Sequence, residues 1–231
     1  MNKIIIEGGN KLSGTVHISG AKNAVLPLIA ASLLTEGECR IDETPWLTDV
    51  ENLSGILEYL GAETHYENST LFIDSTNLSC TTAPFELAKK MRASILVMGP
   101  LLARMGAATI TLPGGCSIGK RPIDLHLEGF EAMGARITLE NVGGNDVIHA
   151  TANRLHGSRI YLNYPSVGAT ENIMIAASMA QGETVIQNAA REPEILDLAG
   201  FLNACGAKVR ILPDGTVAIE GVKQLHGCNY S

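Results

Sequence analysis

This 231-residue sequence lacks the features that mark membrane-spanning and exported proteins. Its longest uncharged runs, residues 24–35 and 93–103, are interrupted by Pro27 and Pro100 and fall short of the roughly 18–20 apolar residues of a membrane span. The first residues hold too short an apolar stretch for a signal peptide and lead directly into Gly8-Gly9. We therefore expect a protein that is neither exported nor bound to a membrane.

The cysteines are few and lack the spacing of a metal or redox site. They are Cys39, Cys80, Cys116, Cys205 and Cys228, and no two form a Cys-x-x-Cys pair. Reduced thiols in a cytoplasm fit this pattern best, and Cys39, Cys80 and Cys205 are interpreted as small buried hydrophobic side chains. The histidines also lack metal-ligand spacing, so we predict no metal and no cofactor.

Positive charge is also scarce. Seventeen basic and 24 acidic residues give a net charge of −7, which argues against broad binding of nucleic acid or anionic membranes. An anion site would have to gather its cations locally. The apolar fraction of 45% is enough for a sizeable core and excludes a disordered chain.

Two short signatures each occur three times along the chain. The first is a helix-like segment that ends in Gly-Ala, and its glycines are 73 and 72 residues apart: Gly61, Gly134 and Gly206. The second is an apolar segment closed by a glycine before a β-like stretch, and its glycines are 69 and 76 residues apart: Gly37, Gly106 and Gly182. The matching periods indicate a threefold internal repeat.

Each repeat is predicted to form a strand, an apolar helix, a strand, an amphipathic helix and two strands. The amphipathic helix over residues 50–60 follows a capping-box pattern, Thr48-x-x-Glu51. The other three helices are apolar nearly all round, which predicts burial on every side. Together they predict an inside-out α/β barrel of three pseudo-threefold βαβαββ repeats. The repeats lie near residues 22–90, 91–165 and 166–229.

Symmetry of this kind has an electrostatic consequence. Equivalent helices packed in parallel direct their N-termini to one pole, where their partial positive charges add. Lys22, Arg92 and two hydroxyl side chains open these helices, so we expect them to form an anion site there. Taken alone, Lys22-Asn23 would be an asparagine cap beside a solvated lysine. Joined to Arg92 by the repeat, it favours anion binding.

Residues 112–124 form the most unusual loop, with three glycines and two prolines around Cys116 and the basic pair Lys120-Arg121. Nearby positive charge lowers the pKa of a thiol and raises its reactivity, and the glycines do not suit a core position. We therefore predict an exposed, reactive cysteine. Asp124 and His126 follow where a helix opens, and both a capping role and a functional role stay open for them.

Other patterns add little. Glu192-Pro193-Glu194 is interpreted as a helix start with first-turn carboxylates. The sequence has no Gly-x-x-x-x-Gly-Lys-Ser/Thr phosphate loop, no Gly-x-Ser-x-Gly elbow and no dinucleotide-binding fingerprint. The residue patterns alone therefore end at a repeat protein with a basic, cysteine-bearing anion pole.

Five segments carry a specific resemblance, in order and over essentially the whole chain. They are ISGAKNA (residues 18–24), MRAS (91–94), LPGGCSIGKRP (112–122), SVGAT (166–170) and AAREPE (189–194). They resemble the UDP-N-acetylglucosamine 1-carboxyvinyltransferase family. The resemblance implies an enolpyruvyl transferase-like fold and transfer of the enolpyruvyl group from phosphoenolpyruvate to the 3′-hydroxyl of the UDP-sugar. That reaction is the first committed step of peptidoglycan synthesis, so it implies a cytoplasmic protein of cell-wall biogenesis, cell shape and cell division.

The resemblance also implies roles for individual residues. Lys22, Arg92 and Arg121 would hold the phosphate and carboxylate of phosphoenolpyruvate, and Cys116 would donate the proton and be the site that fosfomycin alkylates. Asn23 would position the sugar and the tetrahedral intermediate. The contacts to uridine diphosphate would be Arg121, Pro122, Asp124, Leu125, His126, Ser166, Val167 and Gly168.

The sequence departs from the family in length, because family members are nearly twice as long. The resemblance implies that residues 1–21 are a strand segment of an absent second domain, that residues 22–229 are the enolpyruvyl transferase-like domain and that residues 230–231 start the crossover. The absent half would supply an aspartate and a further arginine. The closing movement around the UDP-sugar requires both domains to be present. A non-catalytic UDP-sugar-binding fragment is therefore the alternative.

Two related enzyme types fit the sequence less well. Cys116 in its Gly-Gly-Cys loop argues against the enolpyruvylshikimate-phosphate type, and the net charge of −7 argues against the RNA 3′-phosphate cyclase type.

Overall fold

A computed structural model of the chain describes residues 3–112 and 123–231. Its helices are α1 (Lys22–Ala31), α2 (Thr48–Leu60), α3 (Phe85–Ala88), α4 (Met98–Met105), α5 (Asp124–Ala132), α6 (Val167–Ala177) and α7 (Pro193–Ala204). Two 3₁₀-helical segments, Ser32–Leu34 and Arg92–Val97, continue α1 and precede α4. The strands are β1 (Thr35–Glu36), β2 (Glu38–Ile41), β3 (Glu63–Glu67), β4 (Thr70–Asp74), β5 (Ala107–Thr111), β6 (Arg136–Val142), β7 (Asn145–Thr151), β8 (Arg159–Tyr161), β9 (Glu183–Gln187), β10 (Lys208–Ile211), β11 (Val217–Glu220), β12 (Leu225–His226) and β13 (Asn229–Tyr230).

Three small sheets each come mainly from one repeat. Their strand orders are β13-β2-β4-β3, β5-β7-β6 and β10-β11-β9-β8. In each sheet, the strand that follows a buried helix pairs antiparallel with a hairpin strand that follows the amphipathic helix. A parallel pair, β1 with β12, joins the first repeat to the third. This arrangement confirms the predicted inside-out α/β barrel of three βαβαββ repeats.

The leading strand of each repeat is formed in a different way. In the third repeat, β8 lies parallel to β9 across α6. In the second repeat, the place is taken by a single parallel bridge between Thr82 and Thr109. In the first repeat, β13 from the far end of the chain pairs with β2, with Asn229 opposite Arg40 and Tyr230 opposite Ile41. The last strand therefore closes the sheet of the first repeat.

The three apolar helical segments pack against one another in the centre, as their sequence predicts. In α6 every residue from 169 to 177 is buried, and in α1 every residue from 25 to 31 is buried. Gly99 in α4 allows close contact with α6, because a Cβ there would lie only 2.6 Å from the carbonyl oxygen of Asn172. A larger residue at position 99 would push the two helices apart.

The outer helices α2, α5 and α7 end in the same way, and this explains the repeated Gly-Ala signature. Gly61 after α2 has a positive φ of 108°, its N–H donates to the carbonyl of Glu58, and the N–H of Ala62 donates to the carbonyl of Leu57. This is the Schellman pattern, which favours glycine because its backbone is left-handed. Gly134 and Gly206 make the same pair of bonds.

The start of α2 corrects one prediction. The capping box at Thr48-x-x-Glu51 is wrong, because the capping position is Leu47, with extended backbone and no side-chain bond to the helix. Thr48 is already part of the helix, so its hydroxyl is not placed to accept the backbone N–H of Glu51, as a capping box requires. The helix start is complemented instead by the carboxylates of Asp49 and Glu51 in the first turn.

Residues 3–20 form neither helix nor strand, and their apolar side chains are exposed. Ile4, Ile5 and Ile6 each have more than four fifths of their surface in solvent. Assignment of this segment to a second domain stays a prediction. Within the described ranges, no helix combines the length and the apolar character needed to cross a bilayer.

Candidate active site

The first turns of several helices line one open pocket of about 470 Å³. Its lining residues are Lys22, Asn23, Leu26, Pro27, Asp49, Arg92, Ala93, Ile95, Leu96, His126, Ser166, Val167, Gly168, Glu171 and Glu194. They come from the starts of α1, α2, α5, α6 and α7 and from the 3₁₀-helical segment before α4. Helix N-termini carry partial positive charge, so their convergence favours an anionic ligand.

Most of the predicted site residues lie in this pocket, but not all of them. Those that line it are Lys22, Asn23, Arg92, His126, Ser166, Val167 and Gly168. Leu125 is buried in the core and Asp124 is exposed, and neither is among the residues that line the pocket. Cys116, Arg121 and Pro122 lie outside the described residues.

The hydroxyls at these helix starts are used mainly inside the protein. Ser166 lines the pocket and caps α6, because its side chain accepts from the N–H of Ala169 at 3.4 Å. Ser94 instead donates to a backbone carbonyl, and Thr170 accepts from the N–H of Ala190. Ser166 is thus the hydroxyl placed to meet a ligand.

Lys22 is held by a partner that the sequence did not reveal. Its Nζ lies 2.8 Å from Oδ2 of Asp49, in the first turn of α2. Both side chains are partly exposed, so the pair adds only about 0–1 kcal/mol to stability. The pair therefore orients the ammonium at the pocket more than it stabilises the fold. The repeat could have indicated Asp49, because the first turn of every outer helix starts near the same pole.

The sequence left both a capping role and a functional role open for His126, and the structure shows its environment. It is buried, and its Nδ1 accepts from Nδ2 of Asn172 at 3.1 Å, since the Asn172 Oδ1 already accepts the N–H of Gly99. Burial, with a smaller effect of the charge on Arg92, lowers the pKa of His126 to about 4. The imidazole is therefore neutral at pH 7, and its proton lies on Nε2, on the ring edge that faces Gly168.

Asn172 is the residue behind this arrangement, and sequence reasoning missed it. Its side chain is fully buried and bonds to the N–H of Gly99, the carbonyl of Ile95 and the ring of His126. It therefore connects α6 to α4, to the 3₁₀-helical segment and to α5. The sequence could have indicated this role, because Asn172 is a single amide side chain at the start of an otherwise apolar segment.

Glu171 is the buried carboxyl of the pocket. Only 5% of its surface is exposed, and burial, followed by the charges of Glu194 and Glu192, raises its pKa to about 8. The group is thus mostly protonated at pH 7. A neutral Glu171 leaves the positive charges of Lys22 and Arg92 less opposed than the number of carboxyls suggests.

Replacing Glu171 with glutamine is expected to stabilise the protein at pH 8 by roughly 3–4 kcal/mol more than at pH 5. The folded-state pKa is raised to about 8 from 4.5, so its contribution is complete below pH 4.5 and is lost as pH rises through 8. Urea unfolding at both pH values measures the difference. Glu131→Gln, at an exposed helical position, is the control; equal gains at both pH values would contradict the assignment.

Comparisons with known proteins show the family to which the chain is similar. A family model described as EPSP synthase (3-phosphoshikimate 1-carboxyvinyltransferase) matches residues 6–231. UDP-N-acetylglucosamine 1-carboxyvinyltransferase 2 of Carboxydothermus hydrogenoformans is 53% identical over 231 residues, and UDP-N-acetylglucosamine 1-carboxyvinyltransferase 1 of Halalkalibacterium halodurans is 55% identical over 233 residues. The alignments cover all of this chain but 54% and 52% of those proteins. The chain spans about half the length of these curated relatives.

Solved structures show the same fold. The enolpyruvyl transferase NikO from Streptomyces tendae matches with a TM-score of 0.82 at 24% identity, over 97% of this chain and 52% of its own. An EPSP synthase from Acinetobacter baumannii matches with a TM-score of 0.75 at 19% identity, over 94% of this chain and 48% of its own. With the family model matched along nearly the whole sequence, the chain belongs to the EPSP synthase family.

Proposed function

We propose that this chain is the catalytic-loop domain of a UDP-N-acetylglucosamine 1-carboxyvinyltransferase. The reaction moves the enolpyruvyl group of phosphoenolpyruvate to the 3′-hydroxyl of UDP-N-acetylglucosamine, as the first committed step of peptidoglycan synthesis in the cytoplasm. The observation that carries the proposal is the pocket at the helix N-termini, which holds Lys22, Asn23 and Arg92 together. The identity of 53–55% to enzymes of that name supports the choice of substrates.

The residue types suit the chemistry. Protonation of the methylene carbon of phosphoenolpyruvate, with attack of the alcohol on C2, forms a tetrahedral ketal, and loss of phosphate completes the transfer. A trianionic substrate needs several cations, and Lys22 and Arg92 supply two in a pocket whose helix dipoles also favour anions. Arg121 would be a third cation. Phosphate and carboxylate of the substrate would therefore bind at the α1 side of the pocket.

Cys116 would supply the proton. It lies outside the described residues, between β5 and α5 in the sequence. His126, in the first turn of α5, lines the pocket. A thiol near cations loses its proton readily and suits general acid chemistry.

The UDP-sugar would bind along the starts of α5 and α6. Ser166, Val167 and Gly168 line this side, and the N-terminus of α6 suits a diphosphate. The neutral ring of His126 adds a donor without an extra charge. Arg121, Pro122, Asp124 and Leu125 would complete the uridine diphosphate contacts, and Asn23 would position the sugar and the intermediate.

The exposed segment of residues 3–20 supports assignment of residues 1–21 to a second domain. A run of isoleucines in water is unfavourable, and an extended partner strand would cover it. The second domain would supply the aspartate that deprotonates the sugar hydroxyl and one more arginine. The lining of the pocket by Ser166, Val167 and Gly168 also fits a second candidate function, namely binding of the UDP-sugar without turnover.

One comparison tests both functions. The 231-residue chain, and the same chain extended by a carboxyl-terminal half from the Carboxydothermus relative, are incubated with phosphoenolpyruvate and UDP-N-acetylglucosamine, and released phosphate is measured. Release by the extended protein supports the transferase. Ligand-dependent thermal stabilisation of the short chain without phosphate release supports binding alone for that chain. No release by an extended protein that folds would refute the proposed activity.

Fosfomycin provides a separate test of the proposed proton donor. We expect one covalent adduct on Cys116 by mass spectrometry and none on a Cys116→Ser variant, because a hydroxyl is far less nucleophilic than a thiol near cations. Cys80→Ser is the matched control and should retain the adduct. An adduct on the Cys116→Ser protein would show that another group is the nucleophile.

A further inference from the structure

Three thiols converge far from the pocket. Cys39 in β2, Cys205 directly after α7 and Cys228 directly before β13 have sulfur atoms that all lie within 4.8 Å of one another. Cys39 and Cys205 are buried and Cys228 is half-buried. Glu194 at the other end of α7 lines the pocket, and at about 1.5 Å per residue it is roughly 16 Å from Cys205 along the helix. The cluster is therefore separate from the proposed active site.

The backbone holds the three cysteines in place. The N–H of Arg40, next to Cys39, donates to the carbonyl of Cys228 at 2.8 Å, and the N–H of His226 donates to the carbonyl of Cys205 at 3.0 Å. The cluster thus joins the first repeat, the third repeat and the last strand. A ligand held there would meet a largely preformed set of donors.

The sulfur separations suit a shared cation. Sulfurs bound to one ion at roughly 2.3 Å lie about 3.8–4.0 Å from each other. The Sγ atoms of Cys205 and Cys228 are 3.3 Å apart, so they need to separate by only about half an ångström. Small rotations of the side chains would supply this change.

The surroundings of the cluster include one positive group. A guanidinium lies nearby, because Nη1 of Arg104 donates to the Thr35 carbonyl at 2.9 Å, while the Thr35 hydroxyl is 3.3 Å from Sγ of Cys39. A metal-thiolate centre there would have a nearby positive group.

We propose that Cys39, Cys205 and Cys228 form a three-thiolate site for a thiophilic d¹⁰ metal cation, zinc(II) or copper(I). Thiolate ligands without carboxylate select these ions. Binding releases three thiol protons to solvent and forms three metal–sulfur bonds, with no transfer of electrons. Zinc would take water as a fourth ligand on the half-buried Cys228 side, whereas copper(I) is satisfied by three sulfurs. The bound ion would fasten β13 to β2 and to the end of α7.

This proposed site differs from the expectation, drawn from the sequence, that the protein holds no metal. Spacing could not reveal it, because Cys39 and Cys205 are 166 residues apart and Cys205 and Cys228 are 23 apart. Only the closure of the barrel by β13 brings them together. The proposal does not depend on the enolpyruvyl transfer described above.

Metal titration tests the site directly. The reduced, metal-free chain is titrated without oxygen, in separate experiments with zinc(II) and copper(I), against a competing chelator. We expect one equivalent of at least one ion to be retained and its affinity to fall at least about tenfold in Cys228→Ser. Cys80→Ser is the control, because Cys80, which the sequence placed in the core, is only half-buried and lies outside the cluster. Retention of neither ion, or equal affinity in Cys228→Ser, would overturn the proposal.

A second measurement uses the unaltered chain, so it does not depend on a variant that folds. N-ethylmaleimide labels accessible thiols, and peptide mass spectrometry reports each cysteine. The metal-loaded protein should label more slowly than the metal-free protein at Cys228, with no change at Cys80. Unchanged labelling at Cys228 under one-to-one metal loading would place the ion elsewhere and refute the site.

Discussion

Replacing Lys22 with methionine is expected to lower kcat/KM for phosphoenolpyruvate by about 100- to 1,000-fold, because one group that stabilises charge in the transition state is usually worth that much. Methionine keeps the length and apolar character of the stem but removes the ammonium from the pocket. Phosphate release in the protein that carries both halves measures the effect. Asp49, which holds Lys22 at 2.8 Å, stays in place in this variant.

The matched control is Lys89→Met. Lys89 is a partly exposed lysine paired with Glu86, and its Nζ lies 4.5 Å from the centre of the Phe85 ring, away from the residues that line the pocket. It should change kcat/KM less than about twofold, since surface ion pairs contribute little. Equal activity of the Lys22 and Lys89 variants would show that the ammonium of Lys22 does not meet the substrate.

Replacing Asn172 with leucine is expected to lower the free energy of unfolding by roughly 3–5 kcal/mol. Leucine has a similar volume but cannot bond, so the N–H of Gly99, the carbonyl of Ile95 and the ring of His126 would all lose a buried partner. Each such loss costs about 1–3 kcal/mol, and partial relaxation keeps the total below the sum. Urea unfolding of the two proteins measures the change.

Asn141→Leu is the control for this substitution. Asn141 lies in an exposed hairpin, where its amide bonds to Asp146 and water can replace the lost bonds. We expect a change within about 0.5 kcal/mol there. A loss below about 1 kcal/mol for Asn172→Leu would mean that the bonds of Asn172 do not hold the central helices together.

Patterns of short range made the repeat architecture predictable. The backbone is left-handed at Gly61, Gly134 and Gly206, directly after a helix, and this conformation favours glycine. Such a local preference can be recognised from the sequence alone. The helices that are apolar all round could only be central. The threefold repeat predicted that the equivalent helices begin at a common end of the barrel, and Lys22 and Arg92 do line one pocket.

The missed features depend on contacts between distant segments. Asn172 matters through partners 46 to 77 residues away, and Asp49 through a lysine 27 residues away. Glu171 appears as one more helix carboxyl until burial and neighbouring carboxylates raise its pKa. The capping box at Thr48 failed for a smaller reason, since the helix begins one residue earlier than the motif requires.

Because β13 closes the first sheet, that sheet can be completed only after β13 has been synthesised. Until Asn229 and Tyr230 leave the ribosome, β2 has an open edge, and α7 lacks the ring of Tyr230, which packs edge-on against Phe201 with its hydroxyl bonded to Asp197. Open edges invite pairing with other chains. A nascent chain stalled a few residues early would therefore be a target for chaperones or for self-association.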